Sequence, residues 1–269
     1  MKCHGIIISH GGNIRSNNED NAYYNGCYRR DDNEFFWKYD GGESNTVISA
    51  VFDGLGGESD GEVASRIAAE ILDNIYNEYY RGNSDNMRAA IFPDIIDDYV
   101  VRTSRMIAEH NMNNNIGTTF AALSFENDTI SFYNAGDSRG YLFRTGRLCQ
   151  MTRDHNLVRR MLKEGVLSEE QAKRHPQRNA LYQFLGMKND NEIIETECHK
   201  EEMIQAAAGD ICLLCTDGLT EMVSDKDISC ILSGSHSLKE RSEELLDCAL
   251  KAGGRDNITI ILMEIQNCG

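Results

Sequence analysis

Apolar positions along the chain follow two patterns. From 47 to 53, "VISAVFD" is a short continuous apolar run that ends in an acid, the pattern of a buried strand. The stretch after it, "EVASRIAAEILDNIYNEYY", places Val63, Ile67, Ile71, Ile75 and Tyr79 four residues apart, with Ala64, Ala68 and Leu72 beside them. That spacing predicts an amphipathic helix. A second helix is expected from Pro93 to about His110, proline being harmless in a first helical turn, and two sequential helices tend to lie antiparallel. From Gly117 the texture becomes "GTTFAALSF", "TISFYNAGD", "RGYLFRT" and "RLCQMT", separated by the turn signals "END", "GDS" and "TG", which predicts a β-meander. Helical character returns in "HNLVRRMLKEG" and "SEEQAKRH". "GDICLLCTDGL" then reads as a strand, two helices follow over about 225–232 and 237–251, and "NITIILMEI" closes the chain as a strand. Strands in runs and helices in pairs predict an α+β protein with antiparallel sheets covered by helices, rather than a parallel doubly wound sheet.

Composition narrows this picture. At 269 residues and 41% apolar content, without an evident linker or internal repeat, the chain is expected to form one domain over 1–269. No apolar run approaches a membrane span, and the N-terminal run is too short for a signal peptide, so a soluble protein of the cytoplasm is expected. Nine cysteines, scattered singly apart from "CLLC", point to a reducing compartment, and without further Cys or His nearby they do not make a zinc site. A net charge of −16 argues against a nucleic-acid partner and makes cations the expected counterpart.

The candidate chemistry begins at "VFDGLGGESDGE". A glycine-rich turn between strand and helix suits phosphate, whereas Asp53 at the strand end repels it. The same feature, an apolar strand delivering an aspartate at or beside glycine, recurs at Asp137 in "YNAGDSRG", Asp217 in "LLCTDGL" and Asp256 in "GGRDNITIIL". Any one of these is also an ordinary turn sequence. Together at one edge they would repel one another by about 4 kcal/mol per close pair at an effective dielectric of 20. A divalent metal removes that cost, and hard oxygen donors point to Mg²⁺ or Mn²⁺.

These segments resemble the metal-dependent protein serine/threonine phosphatases of the PPM type, also called type 2C, and most closely their compact bacterial members. The likeness runs in order through "GNIRSNNEDN", "VFDGLGGESDGEVAS", "GTT", "NAGDSRGYLFRTGRL", "TRDHNLVRRMLKEGVLSEEQAKRHPQRN", "LLCTDGLTEMV" and "GGRDNITIIL". It implies a four-layer α/β/β/α sandwich of two antiparallel sheets flanked by pairs of antiparallel helices. By the same resemblance Asp53 bridges two ions, the Gly54 carbonyl ligates one, and Asp217 and Asp256 complete the other shell. Asp137, helped by Asp217, is the ligand of a third ion. Glu19 and Asp20 hold metal-bound water, and Arg15 grips the substrate phosphate. The implied reaction is direct attack of a metal-bridging hydroxide on phosphoserine or phosphothreonine. The implied partners are phosphorylated proteins and a cognate Ser/Thr kinase, met by a monomer with no nucleic-acid or membrane partner. A flap beside the active site is implied at about 155–179, and its basic run "KRHPQR" could meet an acidic or phosphorylated partner or be a solvated face.

Two departures stand out. Leu55 occupies the place of a histidine proposed as general acid in eukaryotic relatives, and His155 is the alternative proton donor, or else a structural hydrogen-bonding residue. "LYQFLG" replaces the usual "ITRALG". Two other readings compete. "GLGGES" nearly fits a dinucleotide fingerprint, but its final glycine is Ser59, and Asp73 falls inside the helix pattern. A catalytically inactive PPM-like binding or regulatory module is the other, and it would not be expected to retain Asp53, Asp217 and Asp256.

Overall fold

In a computed structural model, residues 1–31, 34–56, 60–81, 92–110, 116–189, 192–193, 198–200 and 203–267 are described. Two antiparallel sheets dominate. The first has β1 (Lys2–His10) paired with β17 (Ile258–Gln266) on one side and with β4 (Phe36–Ser44) on the other. It continues from β17 through β16 (Ile211–Cys215) and β10 (Arg139–Arg144) to β11 (Arg147–Gln150). The second runs from β3 (Cys27–Tyr28) through β2 (Asn21–Tyr24), β5 (Val47–Phe52) and β8 (Phe120–Glu126) to β9 (Thr129–Ala135). Two short strands, β14 (His199–Lys200) and β15 (Ile204–Gln205), pair with β9. Two small ladders lie apart, β6 (Gly54–Leu55) with β7 (Gly117–Thr118) and β12 (Lys188–Asn189) with β13 (Glu192–Ile193).

Three apolar clusters show how these sheets are layered. Successive side chains on a strand point to opposite faces. Ile7, Leu214 and Ile261 therefore meet Val51, Leu123 and Phe125 between the two sheets. Their neighbours Ile6, Ile8, Leu213 and Ile260 face the other way, onto α6 (Asp225–Leu232) and α7 (Leu238–Lys251). On the far side of the second sheet, Ile48, Ala50, Phe52 and Phe120 pack under α1 (Gly61–Tyr76) and α2 (Phe92–His110). The order helix, sheet, sheet, helix matches the expected sandwich. Burial on both faces explains why these strands read as continuous apolar runs rather than alternating ones.

The predicted helices and meander strands appear close to their expected bounds, with three differences. No element is expected over 2–10, 21–28 or 36–44, which form β1, β2 with β3, and β4 of the two sheets. The helix expected to Tyr80 keeps α-helical bonding to Tyr76 and loosens to a π-type turn over Asn77–Arg81. The strand expected through 219 ends at Cys215, because Thr216 turns the chain and Asp217 opens the short helix α5 (Asp217–Thr220). Between β11 and β14 the chain forms α3 (Leu157–Lys163), capped by the Asn156 side chain, and α4 (Glu169–Lys173), capped by a reciprocal Ser168–Gln171 pair.

Candidate metal centre

Asp53 leaves the end of β5, and the "GTT" segment fixes its backbone. The Asp53 N–H donates to Thr119 Oγ1 at 3.0 Å, while the Thr119 N–H and the Thr118 hydroxyl both donate to the Asp53 carbonyl at 2.9 Å. Thr119 Oγ1 also lies 2.6 Å from Ser138 Oγ, which ties the strand end carrying Asp53 to the turn carrying Asp137. At Gly54 a Cβ would stand 2.2 Å from the Gly61 carbonyl oxygen, so only glycine lets the start of α1 sit against this turn. Residues 57–59 of the same loop, including Gly57 and Ser59, lie outside the described residues.

A second close approach joins the other two aspartates. A Cβ on Gly218 would stand 1.9 Å from the Asn257 carbonyl oxygen, and this fit seats the turn of Asp217 against the loop of Asp256. Asn257 then holds the loop over 11–20. Its side-chain amide donates to the carbonyls of Gly11 at 3.0 Å and Asn17 at 2.8 Å, and its Oδ1 accepts from the Glu19 N–H at 2.8 Å. The buried Arg29 guanidinium donates to the carbonyls of Asn18 and Asp20 at 2.6 and 2.5 Å. Asp20 is itself buried and accepts from the Thr216 hydroxyl at 2.8 Å.

The charges in this region are poorly compensated. Burial pushes the Asp53 carboxyl well above the usual range, and the charges of Asp217, Asp20, Asp137 and Asp256 push it further. Asp217 is raised by burial and by Asp137, Asp256, Glu221 and Asp20. Burial raises Asp20 to about 7 against the lowering hydrogen bonds of Thr216 and Thr259, and Asp137 to about 6, with Asp154 adding to the rise. Glu19 moves up for the same leading reason. The side chain of Arg15, 49% exposed, donates from Nη2 to Asp256 Oδ2 at 2.6 Å. That bond raises its own pKa, and the charges of Asp256, Glu19 and Asp53 add to the rise.

The structure thus gathers Asp20, Asp53, Asp137, Asp217 and Asp256 within electrostatic reach from five parts of the chain, with Glu19 and Arg15 on the rim. It does not draw them to a point. Among the described residues, no three His, Cys, Asp or Glu side chains close up tightly enough to hold an ion. Like charges resist closing, and Asp256 is turned onto Arg15. As a donor set the group fits a hard divalent cation. It offers oxygen ligands alone, their mutual repulsion is what a divalent charge relieves, and the Gly54 turn is too tight for a Cβ.

Of the candidate proton donors, Leu55 has nothing to donate. His155 is buried, with Nδ1 accepting from the Gly136 N–H at 3.2 Å, and burial lowers its pKa to about 4. It serves there as a hydrogen-bonding partner of the Gly136 turn. Sequence reading misses Asn257, Thr216, Thr119 and Arg29, which position the acids. The available signal for the first three is a polar residue inside or beside a motif already singled out.

Comparisons with known proteins bear on the family and the fold. A sequence profile of the family described as protein phosphatase 2C matches residues 20–262. The serine/threonine phosphatase Stp of Listeria welshimeri is 33% identical over 265 residues, covering 97% of this chain and 95% of that protein. The S. agalactiae serine/threonine phosphatase structure aligns with a TM-score of 0.81 at 27% identity, covering 98% of this chain and all of its own. The catalytic domain of PstP, solved in complex with two manganese ions, aligns with a TM-score of 0.71 at 26% identity, covering 97% of this chain.

Proposed function

Because this chain belongs to the protein phosphatase 2C family, we propose that it is a metal-dependent protein serine/threonine phosphatase acting on phosphoserine and phosphothreonine. The observation that carries the reading is the set of mutually repelling carboxylates, Asp53, Asp137 and Asp217, that the fold holds half-buried beside Asp256. Asp53, the Gly54 carbonyl, Asp217 and Asp256 would hold two divalent ions, Mn²⁺ or Mg²⁺, and Asp137 with Asp217 a third. When bound, the ions supply water acidified enough to act as nucleophile near neutral pH and neutralise charge on the phosphoryl oxygens.

The chain's own groups do the rest. Arg15 exchanges its exposed bond to Asp256 for the substrate phosphate, whose oxygens match the guanidinium fork. Glu19 at the rim and the buried Asp20 would accept hydrogen bonds from water, with Asp20 held in place by Thr216. Neither Leu55 nor His155 protonates the leaving alkoxide. An inactive binding module would have no use for carboxylates held together against their repulsion.

The same reading takes 1–269 as one domain with a flap at 155–179. It works as a cytoplasmic monomer on phosphorylated proteins, opposite a Ser/Thr kinase. The net charge of −16 disfavours nucleic acid, and no described helix is long and apolar enough to cross a membrane. Purified protein should hydrolyse phosphothreonine peptide in Mn²⁺ or Mg²⁺ and stop when a chelator is added. Full activity in chelator rejects the metal role, and inactivity in every divalent ion tested rejects the phosphatase reading.

A further inference from the structure

An open cavity of about 1180 Å³ lies between the end of β11, helix α3, Tyr182 and the edge strand β14. Its walls invert the charge of the rest of the molecule. Arg153, Arg159, Arg160 and Lys163 line it on a chain of net charge −16. Two acids also line it, Asp154 and Glu164. Asp154 is already neutralised by Arg139, which donates to its two oxygens at 2.9 and 2.6 Å from outside the cavity, and Arg159, 46% exposed, reaches the same carboxylate at 3.3 Å. Glu164 meets Arg160 at 3.1 Å in a pair whose members are 53% and 60% exposed, a weak contact that an incoming anion can replace. Arg153 and Lys163 are exposed and pair with no carboxylate among the described residues. Arg160 also stands over the Tyr182 ring at 5.9 Å, which holds its guanidinium toward the cavity.

The cavity adjoins the acidic centre. His155 and Gly136 exchange backbone and ring hydrogen bonds at 2.9 and 3.2 Å, and Gly136 immediately precedes Asp137. We propose that the cavity takes an oxyanion, carboxylate or phosphate, carried by the substrate protein at a position other than the phosphoryl group being hydrolysed. The inference rests on the phosphatase reading above. It explains how an acidic enzyme accepts acidic phosphoproteins: the positive cavity offsets locally the repulsion of the whole chain.

Three peptides sharing one phosphothreonine test it, with neutral flanks, with flanking glutamates, or with a second phosphothreonine. Both anionic peptides should show KM about 3- to 10-fold below the neutral one at low ionic strength, and high salt should remove the gain. In Arg153→Ala/Lys163→Ala the ratio between anionic and neutral peptides should fall towards one. Equal gains from glutamate and phosphate identify a general oxyanion site, and a larger gain from phosphate a phosphoryl site. A neutral peptide preferred by the wild type, or an undiminished ratio in the double variant, overturns the proposal.

A binding arm separates this from the phosphatase reading. A fluorescent glutamate-rich peptide without phosphate, followed by anisotropy in chelator, should bind the wild type about 3- to 10-fold more tightly than Lys163→Glu. Equal binding overturns the cavity proposal even if hydrolysis is confirmed. Absent hydrolysis with unequal binding sinks the phosphatase reading alone.

Discussion

Asp154 and Asp53 are both carboxylates turned away from bulk water, and the fold treats them oppositely. Burial would raise Asp154, but the hydrogen bonds and charge of Arg139, with Arg159 and Gln150, hold its carboxyl below the usual range. Asp53 is raised by burial and then further by the acids around it, Asp217, Asp20, Asp137 and Asp256. A buried carboxylate with its own guanidinium is a structural part. One surrounded by its own kind costs stability in the folded chain, and such a cost marks a place organised for a cation from outside.

The sharpest way to break this contrast is Asp217→Asn. Turnover on phosphothreonine peptide should fall by about a thousandfold or more, while the melting temperature in chelator rises because one repelling charge is gone. Retained turnover, or a fall in metal-free stability, would remove the distinction between the two regions.

Asp154→Asn should give the opposite result. With its partner neutralised, the Arg139 guanidinium, 16% exposed, is left without a counter-charge, and denaturant midpoints should report a loss of about 3–5 kcal/mol. A loss below about 1 kcal/mol would place Asp154 among ordinary surface pairs.

His155 tests the wall between the regions through pH. Its folded pKa of about 4 lies below the ordinary histidine value of 6.5, so its neutral form stabilises the fold fully above 6.5, and that contribution is lost as pH falls towards 4. Wild type minus His155→Gln stability should therefore shrink by about 2–3 kcal/mol across that window. A pH-independent difference would show that the ring is not held neutral by its surroundings.

The smallest expected effect is at Arg15. Its bond to Asp256 is exposed, so Arg15→Ala should leave the melting temperature nearly unchanged and raise KM for phosphopeptide by about tenfold, or 1.4 kcal/mol. An unaltered KM would return Arg15 to the surface.

Much of the architecture is legible because secondary structure follows local periodicity. The four-residue spacing in α1 and the continuous apolar runs of β5, β16 and β17 each record which faces are covered. The strand β1 is harder to read, since "KCHGIIISH" carries a short apolar run among polar residues and becomes a central strand only through pairing with β17, 248 to 264 positions away, on one side and β4 on the other. Arg29 is harder still. Arginine is expected at the surface, and its burial is intelligible only once the carbonyls of Asn18 and Asp20 are seen to surround it.

By itself the sequence determined the kinds of elements and the chemistry of the candidate donors: Asp53, Asp137, Asp217 and Asp256 beside the ends of apolar runs, offering oxygen rather than sulfur or imidazole. Only the tertiary structure decided that Asn257 reaches back to Gly11 and Glu19, that Thr216 holds Asp20, and that Arg15 rests on Asp256. The reason is physical. Periodicity reports contacts within a few residues, whereas Asn257, Thr216 and Arg15 are separated from these partners by about 200 positions or more and are brought to them by sheet pairing and close glycine packing.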